Sequence, residues 1–276
     1  MSYVLDLLFL SLYRSQARER REAHAVRTVL RWTVVFLLLS LVGPAVLGKE
    51  IRLPGEGVLS GQVVLAESFF TEERGVLVPR EFQAWPGENG LRPADWFTHR
   101  IEAHPGDVVL LAQGLYKVDL WVFTPGITIE TDPAAKGMAE VWGTIEIDAD
   151  RVVLDRIAVT GPRKEASSGH GIEVNREVAK WFTIRNSRIE RKEWIGIHLI
   201  GPRGEMNELR VENCEILNNG ADGVECQSVQ DLVIIGCTIR GNNVGVRIGS
   251  YVQRIEMRAN AILGNRSQDV LYPKSE

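Results

Sequence analysis

The chain has 276 residues, enough for one large core or two modest domains, and its 45% hydrophobic and 25% charged content is that of an ordinary globular protein. The net charge of −4 is unevenly divided, because residues 1–52 hold eight Lys/Arg and four Asp/Glu and the remainder therefore sums to −8. An acidic body of this size argues against nucleic acid as a partner, and three cysteines do not make a disulfide framework.

Residues 1–31 read as a basic cytoplasmic or interfacial segment. "YVLDLLFLSLY" (3–13) is apolar but too short to span a bilayer and carries Asp6, so it suits an interfacial helix or a docking segment. Arg14, Arg18, Arg20, Arg21, Arg27 and Arg31 come next, against Glu19 and Glu22. The charge-free run "TVVFLLLSLVGPAVLG" (33–48), with Trp32 at its edge, is just long enough to cross. Residues 32–48 are therefore expected to form a transmembrane helix or uncleaved signal anchor. Positive flanks stay in the cytoplasm, so residues after Gly48 would lie outside, in the periplasm or at the cell surface. Cleavage after Gly48 is the alternative, with Val46 and Gly48 small enough for a signal-peptide site; the long basic region before it favours the anchor.

Residues 49–100 suggest a juxtamembrane β unit and a capping helix. "GQVVLAES" and "GVLVPREF" read as strands, forming either an extra partial coil or a small separate unit. "LRPADWFTHRIEA" (91–103), with Pro93 near its first turn, reads as a short helix.

From residue 101 onward the chain repeats itself. The pattern Gly-apolar-x-apolar recurs as "TIEI", "GIEV", "GIHL", "GVEC" and "GVRI", starting at Thr144, Gly171, Gly196, Gly223 and Gly245, with spacings of 27, 25, 27 and 22 residues. A second register, from "LDRIAV" to "MRANAI", runs in step with it, with apolar residues at its first and last places. Each unit holds three short alternating segments with no helical period between them, and no single unit can bury its apolar face. Stacked units can, as a parallel β-helix with coils about 4.8 Å apart. Asn219, Asn242 and Asn265 fall at one turn, where stacked amides can satisfy one another.

"IEAHPGDVVLLAQGLYKVDLWVFTPGITIETD" (101–132) resembles the opening coil of right-handed β-helix proteins of the pectin-lyase-like superfamily. "DRVVLDRIAVTG" (150–161) is similar to the same pattern. The resemblance implies an all-β fold, a right-handed parallel β-helix of about six coils over residues 101–276, preceded by the N-terminal transmembrane helix. For function it implies little, since the superfamily includes lyases, hydrolases, esterases, accessory factors and adhesive scaffolds. The chain looks most like the small periplasmic accessory and carbohydrate-binding members.

Alternation places one outward residue in each first strand: Glu146, Glu173, His198, Glu225 and Arg247. Neighbouring carboxylates about 5 Å apart suit a retaining glycosidase, and pairs at about 6.5–9.5 Å an inverting one. His198 could serve as a base, the resemblance to pectate lyases makes Arg247 the candidate catalytic arginine, and the acidic column could hold calcium. The structural alternative is a solvated ladder of partly complementary charges. "GHG" at 169–171 resembles a polygalacturonase motif, but the paired aspartates and the Arg-Ile-Lys of that family are missing, which leaves His170 as a turn residue. Cys214 and Cys237 share a register one coil apart, and Cys226 points inward; all three read as small buried hydrophobes. No Cys/His cluster has zinc-ligand spacing. The turn insertions "GPRKEASS" and "GPRGEMNE" (161–168 and 201–208) are the candidate groove walls.

The reading that results is a membrane-anchored extracytoplasmic β-helix. It would act as a non-catalytic scaffold or binding subunit for a membrane protein complex or a cell-surface polysaccharide, with no cofactor other than possible calcium. A polysaccharide lyase or glycoside hydrolase using the first-strand column is the alternative.

Overall fold

The computed structural model describes residues 48–53, 59–68, 70–73, 76–79, 81–83, 91–93, 97–161, 169–175, 180–200 and 208–273. The basic segment, the apolar run up to Leu47 and most of the two turn insertions lie outside the described residues. Among the described residues no helix is long and apolar enough to cross a membrane.

The architecture arises from short strands that alternate inward and outward and find hydrogen-bond partners only in the next coil. Among the described residues three parallel sheets wind around one core. Sheet 1 stacks Glu50–Leu53, Val108–Leu111, Thr128–Thr131, Val153–Asp155, Thr183–Arg185, Leu209–Glu212, Asp231–Ile235 and Arg254–Arg258. Sheet 2 runs from Leu115 and Tyr116 through Ala139–Trp142, Ile157–Thr160, Arg188–Glu190, Glu215–Leu217 and Thr238–Arg240 to Ala261–Ile262. Sheet 3 continues from Leu120–Val122 through Ile145–Ile147, Ile172–Asn175, Ile197–Ile200, Val224–Cys226 and Val244–Ile248 to Gln268–Leu271. One eight-residue strand, Leu115–Val122, serves sheets 2 and 3 together, so the first coil has no corner between them.

Seven coils result among the described residues, one more than the repeat count gives, because Gln268–Leu271 completes a last coil that the repeat pattern does not recover. It pairs in parallel with Val244–Ile248, so the C-terminal segment extends sheet 3. At the other end both readings of residues 51–90 hold in part. Ser60–Ala66 joins sheet 3 beside Leu115–Val122, and Phe70–Glu73 forms an antiparallel ribbon with Val76–Pro79. The capping helix expected over residues 91–103 gives way to strands: Leu91–Pro93 pairs with Glu81–Gln83, and His99–Glu102 adds an edge strand to Ser60–Ala66. Phe97 is buried edge-on against Trp121, with ring centroids 6.0 Å apart, and contributes to covering the first coil.

The inward residues of sheet 3, among them Leu120, Ile145, Ile147, Ile172, Val174, Ile197, Leu199, Val224, Cys226 and Val246, are fully buried, and they meet those of sheets 1 and 2 in one continuous core. Two devices hold the corner between sheets 2 and 3. The first is the amide ladder: Asn219 donates through Nδ2 to Asn242 Oδ1 at 2.9 Å, and Asn242 donates to Asn265 Oδ1 at 3.1 Å. Each upper residue's backbone N–H also donates to the amide oxygen below. The Lys192 backbone N–H joins the upper end by donating to Asn219, and Asn265 donates to Asp269 at the lower end. The second device is a column of glycines at the start of each strand. A Cβ on Gly223 would lie 2.6 Å from the Gly245 carbonyl and 2.8 Å from Ile239 Cγ2; the same near-contacts recur at Gly171, Gly196 and Gly245. The repeat's glycine is thus a requirement of backbone close approach.

Gly223→Ala is therefore expected to lower stability by about 1–3 kcal/mol, the usual range for overpacking. Asn242→Ala, which leaves buried N–H groups unpaired, should cost about as much. Urea unfolding monitored by circular dichroism checks both; a variant as stable as wild type would show that its contact is dispensable.

Candidate functional site

Strand register places the expected column as the alternation requires. Glu146 lies opposite Glu173, Glu173 opposite His198, His198 opposite Glu225, and Glu225 opposite Arg247. The column continues upward to Trp121 and Val64.

Its environment differs from that of a solvated charge ladder. Glu146, Glu173 and His198 are 4%, 3% and 7% exposed, so the upper part of the column is shut away from water. Rungs about 4.8 Å apart shield one another. His170 adds to the cover, its ring lying 4.3 Å from that of His198 at a tilt of 42°. His170 does stand in the turn before its strand, yet its side chain joins the cluster. Nδ1 of His170 receives a long 3.4 Å contact from the Ile195 N–H.

Charge is concentrated here. Burial first, then the charges of Glu173, Asp119 and Asp148, push the Glu146 carboxyl well above the ordinary carboxylate range, and its Oε1 has no hydrogen-bond partner. Burial lowers His198 to about 4, against a smaller opposing pull from Asp222, so its imidazole is neutral at physiological pH. Neither ring nitrogen makes a hydrogen bond; Glu173 Oε1 stands 4.0 Å from Nδ1, and Glu225 Oε2 stands 3.8 Å from Nε2. The ligand atoms of His170, Glu173 and His198 lie within 4.8 Å of one another.

At the lower end Arg247 is engaged by Asp222 rather than by Glu225. Its Nε and Nη2 both donate to that buried carboxylate, and this pairing raises the guanidinium pKa further. Glu225 instead accepts from Gln227 at 3.3 Å. The five expected residues are therefore brought into one column, but the arginine is committed to a neighbour and the carboxylates are enclosed. Asp119, Asp148, His170 and Asp222 are the members that strand alternation alone does not reveal: Asp119 sits inside the long strand that serves two sheets, and the others stand just past a strand end or in turns.

The described surface offers a different concavity on sheet 2. A cavity of about 360 Å³ is lined by Leu115, Glu140, Trp142, Thr160, Gly161 and Arg191. Gly161 has φ +83°, and a Cβ there would fall 1.2 Å from the Trp142 indole, so the tryptophan lies flat on this turn only because it is glycine. The Lys117 ammonium stands 5.1 Å from the centre of the same ring.

The cysteines are free and buried, as the sequence suggests. Cys214 and Cys237 share one register, with the Cys214 N–H directed at Cys237 Sγ at 3.5 Å, and burial together with the smaller effect of the Glu225 charge pushes the Cys226 thiol up to about 12. Iodoacetamide is expected to leave Cys226 unmodified in the folded protein and to alkylate it after denaturation, as mass spectrometry would show.

This winding of parallel strands defines a parallel β-helix protein. Residues 148–272 match the family model described as a right-handed beta helix region. No curated protein and no solved structure matches the chain.

The raised Glu146 carboxyl carries a pH signature. A group whose folded pKa lies above its unfolded value, about 4.3, stabilises fully below that value and loses the contribution as pH rises toward the folded pKa. Glu146→Gln keeps the neutral shape, so in metal-free buffer it should be more stable than wild type at pH 8, with the difference shrinking toward pH 4. Urea unfolding at both pH values measures this; an equal difference at both would contradict the enclosed environment.

Proposed function

We propose that the protein is a non-catalytic, extracytoplasmic glycan-binding β-helix, tethered to a membrane by the apolar run before Gly48. The observation that carries the reading is the contrast between the two polar surfaces. The sheet-3 column has the acid and base groups of a hydrolase, but Glu146 and Glu173 are 4% and 3% exposed, which leaves no room for a sugar ring between them. Open space lies on sheet 2, where an indole, a carboxylate and a guanidinium converge on a cavity in the size range of small-molecule sites. An aromatic body with a few polar groups around it suits the apolar face and hydroxyls of a saccharide. The acidic body and the one-sided arginines ahead of the apolar run support an exterior location.

Polysaccharide binding by the purified full-length protein should be measured by calorimetry over a panel of neutral and acidic glycans. Trp142→Ala is expected to weaken the best ligand by at least about 10-fold, the cost of roughly one lost aromatic contact. Binding unchanged by Trp142→Ala would overturn the assignment of the cavity. New reducing ends or unsaturated uronate absorbance, abolished in Arg247→Ala, would replace the reading with a hydrolase or lyase.

A further inference from the structure

We propose that His170, Glu173 and His198 form a binding site for a divalent transition-metal ion of the zinc class. The proposal concerns sheet 3 and is independent of the glycan reading, which rests on sheet 2. The fold brings the three side chains together from two adjacent coils. Glu173 and His198 face each other across Ile172–Asn175 and Ile197–Ile200, and His170 comes from the turn that leads into the first of these strands. Their ligand atoms already lie within 4.8 Å of one another, and Glu173 Oε1 is 4.0 Å from His198 Nδ1. A tetrahedral zinc with bonds of about 2.0–2.1 Å needs ligand-to-ligand edges of roughly 3.3 Å. A bound ion would draw the ligand atoms together by up to roughly 1.5 Å, the difference between 4.8 Å and that edge.

A second, independent observation points to a ligand. His198 is 7% exposed, yet neither ring nitrogen has a hydrogen-bond partner. A buried polar group without a partner is costly, and a buried imidazole that faces the Glu173 carboxylate and lies against a second imidazole gains a partner when a cation enters between them. Glu146 Oε1, one rung above Glu173, is also buried without a hydrogen bond. Three protein ligands leave a fourth position for water, and Glu146 is the adjacent group to bond it. Glu173 is itself an enclosed carboxylate, so a dication also offsets buried negative charge. Coordination through His170 Nδ1 would give up its long contact with the Ile195 N–H.

The donor set selects the metal. Calcium takes six to eight oxygens, whereas two imidazoles and one carboxylate suit zinc and its neighbours in the first transition row. The ion would span two coils, joining a turn to the strand below it.

The test uses untagged full-length protein stripped with chelator and titrated with Co²⁺ and then Zn²⁺. Wild type should show d–d absorption of four-coordinate intensity saturating at one Co²⁺ per chain, displaced by Zn²⁺, and Zn²⁺ should raise the melting temperature. His198→Gln and Glu173→Gln should each weaken binding by on the order of 100-fold or more, beyond what loss of an outer partner costs. His170→Gln, altered in a turn rather than a strand, should do the same while keeping the wild-type circular dichroism spectrum. His104→Ala, at an exposed histidine far from the cluster in sequence, should bind as wild type does. No saturable binding by wild type, unchanged affinity in His170→Gln, or a melting shift given by Ca²⁺ and not by Zn²⁺ would each overturn the proposal.

Discussion

A coil of this protein cannot bury its own inward side chains; only the coil above and the coil below can. Everything else depends on that constraint. It fixes parallel pairing, because each strand's hydrogen-bond partner is the equivalent strand one coil away. It also explains the glycines that open the sheet-3 strands, whose missing Cβ atoms let one coil's backbone approach the next coil's carbonyl. The asparagine ladder exists for the same reason: three turns stacked at one corner bring three amides into line, each accepting from the residue above.

The same stacking governs the chemistry of sheet 3. Outward residues of successive coils are held about 4.8 Å apart whatever their charge. For amides the spacing is favourable, since each can donate and accept. For Glu146 over Glu173 it sets two carboxylates side by side, and burial removes the water that would screen them. Relief comes by raising the Glu146 pKa, while burial keeps His198 neutral and so denies the pair a cation. At the lower, more open end, Arg247 and Asp222 settle their charges by direct pairing. One column thus passes from an enclosed, uncompensated environment to an ion-paired one within a few coils.

Much of this architecture is legible in the sequence, because period and alternation are local properties. The column from Glu146 to Arg247, the amide ladder and the inward cysteines come from counting residues along strands. The remainder depends on contacts between distant segments. Residues 91–103 carry a helix-like start at Pro93, yet His99–Glu102 pairs with Ser60–Ala66, and tertiary pairing overrides the local signal. Gln268–Leu271 lacks the marker glycine, so the repeat pattern passes over it although it forms a strand. The burial of Glu173 reflects what lies over a strand, which alternation does not encode. His170 stands in a turn, as its sequence context indicates, but a turn residue's aim depends on the coil below. The Trp142 cavity rests on the left-handed Gly161, a feature of backbone geometry rather than pattern.

The ladder also sets where the chain can change length. Asn219, Asn242 and Asn265 are separated by 23 residues each time, whereas the sheet-3 unit starts at Thr144, Gly171, Gly196, Gly223 and Gly245 are spaced by 27, 25, 27 and 22. The strand starts therefore shift even where the amides do not: Gly223 follows Asn219 by four residues and Gly245 follows Asn242 by three, while the amide row itself keeps a constant count. Duplicating a whole 23-residue unit there would add one rung and lengthen the stack by about 4.8 Å with every amide still matched. An insertion of any other size within that corner would displace a side chain from the row. Length changes that leave the row intact therefore belong in the other turns of the coil.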